Sequence, residues 1–196
     1  MIILDHVQFE KNSYINRNKI RTSNGWQWLS VPVKNPTNTP IDQVEINSQY
    51  WRKKHLKSIE HNYSKSPFFD LYYPTLEKLY DEEYHLLDDF IDSTFIIASL
   101  WLRLMTPVIY SSELRPQHTK SELVLELCKM VDADEYLSGP QGRGYLNELS
   151  FKKAGIKITY HDYNHPIYKQ MHPGFVPNMC ILDLLFNYGD ESRRML

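Results

Sequence analysis

Two histidines, His55 and His165, have the clearest capacity for acid–base chemistry in this sequence. Histidine can take up and release a proton near neutral pH. On a helix, Trp51, His55 and Ser58 would share one stripe beside an apolar stripe, where a helix can present groups to a cleft. His55 is therefore a candidate acid, base or phosphate donor, and Trp51 and Ser58 are candidate ligand-binding residues. The alternative is a half-buried histidine beside a solvated lysine face.

The second histidine lies in a segment that resembles a metal site, since His161, Asp162 and His165 occur close together. Apolar alternation precedes them and Pro166 follows, so an extended segment is expected, with the two histidines about 13 Å apart. A zinc ion holds its nitrogen ligands at about 2 Å. We therefore expect no metal here, and His165 is a candidate base or sugar-binding residue.

A glycine-rich loop at residues 139–144 follows a short predicted strand and precedes a predicted helix. Glycines let backbone amides approach a ligand, and a helix N-terminus favours an anion. The loop matches neither the P-loop nor the dinucleotide fingerprint, and a tight strand-to-helix turn explains it equally well. Its candidate ligand-binding residues are Ser138, Gly139, Arg143 and Tyr145, of which the arginine adds a charged donor.

Polar residues also cluster around the first predicted strand and the start of a predicted hairpin. Several amides with one arginine suit a polar ligand, although an ordinary loop has the same composition. Asp5 is a candidate catalytic carboxylate. The candidate ligand-binding residues of this cluster are Gln8, Asn16, Arg17 and Asn18.

Cys180 lies near the start of the last predicted helix, where the pKa of a thiol can be lowered. Asp183 follows three residues later on the same face, and a nearby carboxylate would oppose thiolate formation. A small buried residue is the alternative for this cysteine.

The composition favours a globular protein and excludes several functional classes. The 196 residues carry 22 basic and 24 acidic side chains, whereas a general nucleic-acid binder would have a basic excess. Two cysteines do not make a disulfide framework, so a reducing compartment, the cytoplasm, is expected. We see no signal peptide, and the most apolar stretch, residues 95–105, is shorter than the roughly 20 residues of a membrane span.

The predicted elements give a mixed α/β (α+β) fold with a single domain over residues 1–196. Ser23-Asn24-Gly25 predicts a hairpin over residues 18–34, and residues 35–40 are a predicted loop. Ser48, Pro67 and the Thr119–Glu122 capping box mark helix starts. Strands are expected at 1–9, 44–46, 108–110, 135–138 and 157–163. Helices are expected at 50–63, from 66, at 83–103, from 119, at 145–154 and at 179–187.

An ordered set of short runs along nearly the whole chain resembles the WbqC-like family. No single run is specific, but the set and its order are. The runs are Leu4-Asp5-His6-Val7-Gln8-Phe9, Asn16-Arg17-Asn18-Lys19-Ile20, Trp28-Leu29-Ser30-Val31-Pro32-Val33, Trp51-Arg52 with His55, Ser111-Ser112-Glu113-Leu114, Tyr136-Leu137-Ser138-Gly139, His165-Pro166 with Tyr168 and Gln170, and Asp183-Leu184-Leu185-Phe186-Asn187-Tyr188-Gly189.

The resemblance implies a role in bacterial surface-polysaccharide biosynthesis, including O-antigen and lipopolysaccharide. It implies a transferase that moves an aminoacyl, glycyl or acyl group to an amino sugar or nucleotide-sugar. The partners would be that sugar and an activated donor; the cofactor is unknown, and a homo-oligomer is compatible with the sequence. A non-catalytic ligand-binding or assembly protein of the same pathway is the alternative. The resemblance adds Arg52, Tyr168, Gln170 and Asp183 to the candidate ligand-binding residues.

The sequence departs from the family pattern in two places. The family usually begins with a further strand and loop before the segment that contains Asp5, so we expect either a late recorded start or a member without that strand. The position of Cys180 is usually serine, so a catalytic cysteine is not expected there.

Overall fold

The computed structural model describes residues 1–34 and 36–196, and it has the mixed α/β class expected from the sequence. The strands are β1 (Ile2–Ile3), β2 (Arg17–Thr22), β3 (Gly25–Ser30), β4 (Ile109–Tyr110), β5 (Glu135–Ser138) and β6 (Lys157–Tyr160). The helices are α1 (Tyr50–Tyr63), α2 (Phe69–Asp81), α3 (Leu87–Trp101), α4 (Ser111–Leu114), α5 (Lys120–Met130), α6 (Glu148–Lys153), α7 (Ile181–Tyr188) and α8 (Ser192–Met195).

The chain divides into two compact units. Met1–His6 and Pro107–Asn164 form what we call the parallel-strand unit, and Val7–Thr106 with His165–Leu196 form the hairpin unit. Each unit has its own cluster of buried apolar side chains. The single domain expected from the sequence stays a prediction.

The parallel-strand unit contains two short parallel pairs. Strand β1 pairs with β4, with Ile2 beside Ile109, and β5 pairs with β6, with Glu135 beside Lys157. A parallel pair needs a crossover between its strands, and α6 lies in the crossover from β5 to β6. Phe151 on α6 is almost fully buried within the apolar cluster of this unit, so it fixes the crossover against the strands.

The β2–β3 hairpin confirms the prediction made from Ser23-Asn24-Gly25. Thr22 pairs with Gly25, so the turn itself consists of Ser23 and Asn24. Gly25 has a φ of +125°, a conformation that side-chain-bearing residues rarely adopt. The antiparallel register puts Lys19 opposite Trp28, while Ile20 on the other face is fully buried.

The helix predicted at 50–63 is confirmed as α1. One face of α1 lies in the core of the hairpin unit. Its buried residues Trp51, His55, Ile59 and Tyr63 recur every four positions, which is helical spacing. Burying a large apolar side chain such as Ile59 stabilises the fold by about 1.5–3 kcal/mol. Helices α2, α3 and α7 supply the other helical residues of this core.

Several strand predictions were too long. The first strand ends at Ile3, because its partner β4 has only two residues. The segment predicted as a strand at 44–46 makes only isolated pairings, one of them between Val33 and Ile46. Strand β6 ends at Tyr160, because its partner β5 ends at Ser138.

Several helix starts also differ from the predictions. Helix α6 begins at Glu148 rather than at 145, because the Asn147 side chain accepts a hydrogen bond from the Ser150 amide and caps the helix there. Helix α2 begins at Phe69 and α3 at Leu87, later than predicted. The predicted cap Ser48 is wrong, since Gln49 is the N-cap of α1. Thr119 is the N-cap of α5 as predicted, but its side chain makes no capping hydrogen bond.

Asn35, the first residue of the loop predicted at 35–40, lies outside the described residues. In the remainder of the chain, no helix combines the length and the apolar character that crossing a membrane requires.

Candidate functional site

A cavity of about 360 Å³ lies within the hairpin unit. This volume falls in the range of small-molecule pockets. Helix α3 contributes the largest share of its lining, and helix α2, the β2–β3 hairpin and the start of α7 contribute most of the rest. Its walls are mainly apolar, and they include Leu29, Val31, Leu76, Phe90, Phe95 and Trp101.

One side of the cavity is polar, and we call Asn16, Arg17, Asn18 and His55 its polar edge. Within the described chain, the buried Oδ1 of Asn16 and the buried Nε of Arg17 have no hydrogen-bond partner. Buried polar atoms are nearly always paired with protein, water or ligand. Two residues of the polar edge, Asn16 and Arg17, therefore each carry one buried polar atom that the protein leaves unpaired, an acceptor on Asn16 and a donor on Arg17.

The Arg17 guanidinium is held in place by two contacts. One of its terminal nitrogens donates to the Asn12 carbonyl, and its central carbon lies 4.1 Å from the centroid of the Trp28 ring. A cation over an indole face gains a modest attraction. These contacts orient Arg17 without using its Nε.

His55 is buried, and both of its ring nitrogens contact protein groups. Nε2 lies 3.1 Å from the Ser30 carbonyl oxygen, which can only accept, so Nε2 carries the proton and Nδ1 accepts from the Tyr80 hydroxyl at 3.2 Å. Burial lowers the pKa of His55 to about 4. The ring is therefore neutral, and it could act as a base only if the Tyr80 hydrogen bond broke. Its catalytic role stays a prediction.

Cys180 also lines the cavity, directly before α7. Burial raises the pKa of its thiol to about 12, so the thiolate is not favoured. The residue is half-buried rather than fully buried.

Asp183 lies at the centre of a buried hydrogen-bond network. Its Oδ1 accepts from the Tyr63 hydroxyl at 2.9 Å, and its Oδ2 accepts from the Tyr168 hydroxyl at 2.8 Å and from Gln170 Nε2 at 2.9 Å. Burial raises the pKa of Asp183, and these hydrogen bonds only partly offset that effect. We call Asp183, Tyr63, Tyr168, Gln170 and Arg21 the Asp183 network.

Arg21 closes this network on the hairpin side. Its backbone amide donates to the Tyr63 hydroxyl, and its Nε donates to Gln170 Oε1 at 3.2 Å. Its terminal nitrogens donate to the carbonyls of Gly25 and Pro173. Three predicted binding residues, Tyr168, Gln170 and Asp183, thus direct their polar atoms to protein partners.

The other three candidate residues on α1 contact other parts of the protein rather than the cavity. The Trp51 ring is buried, and it packs edge-on against Phe90 with centroids 4.8 Å apart. Arg52 donates to the Asp81 carbonyl at 2.9 Å and so caps the end of α2. Ser58 is half-buried, and its carbonyl accepts from the Asn62 side chain.

His165 and Gln8 both lie in the hairpin unit, but neither lines the cavity. His165 Nδ1 donates to the Pro166 carbonyl at 2.8 Å, and its Nε2 accepts from the Asn178 amide at 3.2 Å. Gln8 is exposed, and its side chain lies 3.4 Å from the Asn38 side chain.

In the parallel-strand unit, the side chain of Asp5 is buried and contacts the first two residues of α4. Its carboxylate accepts from the Ser111 hydroxyl and the Ser112 amide, each at 2.8 Å, and also from the Ser112 hydroxyl. Burial acts to raise the pKa of Asp5, but the hydrogen bonds from Ser112 and Ser111 outweigh it, and the pKa lies below its usual value. His6 Nδ1 lies 2.5 Å from the Ser111 hydroxyl, a proximity that the sequence analysis missed.

The glycine-rich loop forms a 3₁₀ turn at Pro140–Gly144, and its amides serve the turn. Gly142 N–H donates to the Gly139 carbonyl, and Leu146 N–H donates to that of Gly142. A Cβ at Gly142 would lie 2.0 Å from Ser138 Oγ, so a larger residue there would force the Ser138 side chain to move. Because α6 begins only after Asn147, the loop does not lead directly into a helix N-terminus. This geometry matches the tight-turn alternative.

The guanidinium of Arg143 forms an ion pair with the exposed carboxylate of Asp162. Two of its nitrogens lie 3.0 and 3.2 Å from the carboxylate oxygens of Asp162, and its central carbon lies 4.3 Å from the Tyr160 ring centroid. Tyr145, the last residue predicted for this loop, is half exposed.

The structure thus brings together Asn16, Arg17, Asn18 and His55 at one cavity. The sequence analysis missed the aromatic residues that adjoin this edge, chiefly Tyr14 and Trp28. The register of the predicted hairpin was the signal that could have found Trp28, since it places that ring opposite Lys19. Among the described residues, no group of three or more His, Cys, Asp or Glu side chains is arranged to hold a metal ion.

Comparison with known proteins gives the family. The model of the WbqC-like protein family matches residues 1–195. This chain belongs to the WbqC-like protein family. A relative in Mycobacterium tuberculosis (strain ATCC 25618 / H37Rv), called "Uncharacterized protein Rv1507c", is 36% identical over 195 residues. That alignment covers 97% of this WbqC-like chain and 84% of the relative. No solved structure matches it.

Proposed function

We propose that this WbqC-like protein transfers a small acyl or aminoacyl group, such as glycyl, to an amino sugar or nucleotide-sugar in bacterial surface-polysaccharide biosynthesis. One observation carries the proposal: the cavity combines apolar walls with a polar edge that has an unused donor and acceptor. Apolar walls suit an acyl chain, the unpaired Nε of Arg17 suits an oxygen of its carrier, and the unpaired Oδ1 of Asn16 suits an N–H or hydroxyl group of the ligand. The pathway comes from the family resemblance.

The proposed transfer forms an amide bond. The amine of the sugar attacks the carbonyl carbon of an activated donor, such as a thioester. The new C–N bond forms, the C–S bond breaks, and the thiolate leaves with the bonding electrons. The amine gives its proton to a base; of the three candidates, His55, His165 and Asp5, His55 is the one that lines this cavity.

A second candidate function, a non-catalytic ligand-binding or assembly protein of the same pathway, is favoured by a different observation. The ring nitrogens of His55 and His165 and the carboxylate of Asp5 all contact protein groups. A general base needs a lone pair within reach of the proton that it removes. This candidate predicts binding without turnover.

The test uses acetyl-CoA and a glycyl thioester as donors and UDP-glucosamine as acceptor. Mass spectrometry would detect the acylated sugar, and a thiol reagent would detect the released carrier. An Ala98→Phe variant places a ring in the cavity, because Ala98 lines it. Ile96→Phe is the matched control, since Ile96 lies on the same helix but is exposed.

We expect product formation that is lost in Ala98→Phe and kept in Ile96→Phe. A rise in melting temperature with these ligands, but no product, would favour the second candidate. If circular dichroism shows a folded protein but neither binding nor product is detected, both proposed uses of the cavity are refuted.

A further inference from the structure

Three aromatic rings and two cations meet on one face of the β2–β3 hairpin. Lys19 Nζ lies 4.3 Å from the Trp26 ring centroid and 5.1 Å from that of Trp28. The Arg17 guanidinium lies over the Trp28 ring, as described above. Tyr14 packs edge-on against Trp28, with centroids 5.4 Å apart. We call Tyr14, Trp26, Trp28, Arg17 and Lys19 the aromatic–cation face.

The outer rings of this face are open to solvent. Tyr14 is 58% exposed and Trp26 is 44% exposed. The Trp26 ring stands nearly perpendicular to Trp28, at 81°. An exposed indole offers a flat surface on which a nucleic-acid base can stack. Trp26 therefore keeps part of its ring open to solvent, although the Lys19 ammonium lies over it.

The two cations of this face have no acidic partner. Across residues 1–34 and 36–196, the ion pairs involve other basic residues, and none includes Arg17 or Lys19. Positive charge without a nearby carboxylate attracts anions. Since Arg17 and Tyr14 also line the cavity, the face adjoins the polar edge.

We propose that the aromatic–cation face binds a nucleoside diphosphate, with the base on the Trp26 ring and the diphosphate between Lys19 and Arg17. A neutral sugar could stack on the rings but would leave both cations unused. An inorganic anion would use the cations and leave the rings open. A ligand that joins a flat ring to phosphates uses both features. This inference rests on the proposed function in one respect, since it makes the acceptor a nucleotide-sugar.

Isothermal titration calorimetry with UDP, CDP, ADP and GDP tests the site directly. We expect at least one of them to bind, more tightly than its nucleoside or inorganic pyrophosphate alone. Trp26→Ala should weaken that binding about tenfold or more, because it removes the stacking surface. Lys19→Gln should weaken it about tenfold and reduce its sensitivity to salt.

Two controls separate recognition from folding. Trp26→Phe keeps an aromatic face and should restore most of the affinity lost in Trp26→Ala. Lys54→Gln removes an exposed lysine of α1 that is not part of this face, and the variant should bind like the unmodified protein. Thermal melting of each variant shows whether it is folded.

The proposal is overturned if no nucleoside diphosphate binds, if pyrophosphate binds equally well, or if folded Trp26→Ala and Lys19→Gln retain full affinity. Nucleotide binding without acyl transfer would keep this site and refute the transferase. Acyl transfer to a free amino sugar, with no nucleotide binding, would support the transferase and refute this nucleotide site.

Discussion

Arg17 and Arg21 lie on the same strand and the same face of the hairpin, four residues apart, yet the fold uses them differently. Arg21 is 3% exposed, and each of its side-chain nitrogens donates to a protein acceptor. Arg17 keeps its Nε unpaired beside a cavity. Residue type and spacing do not distinguish the two. The two arginines differ in the hydrogen bonds that their side chains make with the rest of the protein.

The same contrast separates the Asp183 network from the polar edge of the cavity. In the network, the carboxylate of Asp183 and its donors are paired with one another, so it stabilises the fold. At the polar edge, Asn16 and Arg17 each keep an unpaired atom, so binding energy is available to a ligand. Removing a network residue should therefore affect folding, and removing an edge residue should affect binding.

The largest expected effect is that of Asp183→Ala. It leaves three buried donors, on Tyr63, Tyr168 and Gln170, without their acceptor. We expect the free energy of unfolding to fall by about 3–5 kcal/mol, as measured by urea denaturation. Asp190→Ala, which removes an exposed carboxylate, is the control. Equal losses in the two variants would contradict a special role for the network.

The next effect is a pH dependence from His55. Its folded-state pKa of about 4 lies below the usual 6.5, so between these values the unfolded chain binds a proton that the folded chain does not. Stability is therefore full above pH 6.5 and falls by up to about 3 kcal/mol as the pH drops to 4. His55→Gln should lose this slope in urea titrations at several pH values. His61→Gln, an exposed histidine of the same helix, should keep it.

Arg21→Met tests the structural arginine. It removes donors to Gln170, Gly25 and Pro173 in a buried region. We expect the free energy of unfolding to fall by about 2–3 kcal/mol, with cooperative unfolding retained. If Arg21→Met lost less free energy of unfolding than Arg17→Met, Arg21 would not be the more structural of the two arginines.

Arg17→Met should have the smallest effect on stability and a clear effect on binding. It gives up a hydrogen bond to the Asn12 carbonyl and a cation–π contact with Trp28, each of which contributes about 1 kcal/mol or less at a partly exposed site. Its melting temperature without ligand should stay close to that of the unmodified protein. The rise in melting temperature with ligand should be reduced, and an unchanged rise would remove Arg17 from the binding site.

Local patterns predicted the local elements well. Asn24-Gly25 located the hairpin, and the spacing of apolar residues located α1. The predictions failed where an element depends on a distant partner. Strand β1 stops at Ile3 because β4, more than a hundred residues later, offers only two partners.

The candidate site was predicted in part. Asn16, Arg17, Asn18 and His55 were all named from the sequence, but their meeting at one cavity depends on packing between the hairpin and α1. Trp51 was expected at a cleft and lies in the core instead, because its ring packs against Phe90 of α3. A helical stripe gives the direction of a side chain along one helix, not the identity of its neighbour.

The sequence alone determined the fold class, the hairpin and the family to which this chain belongs, because these depend on local spacing and on the order of motifs. The tertiary structure decided which polar residues are already satisfied. Arg21, Tyr168, Gln170 and Asp183 find their partners across up to 152 residues of chain. Whether a buried donor is paired depends on such distant contacts, so no local pattern could separate the network from the polar edge.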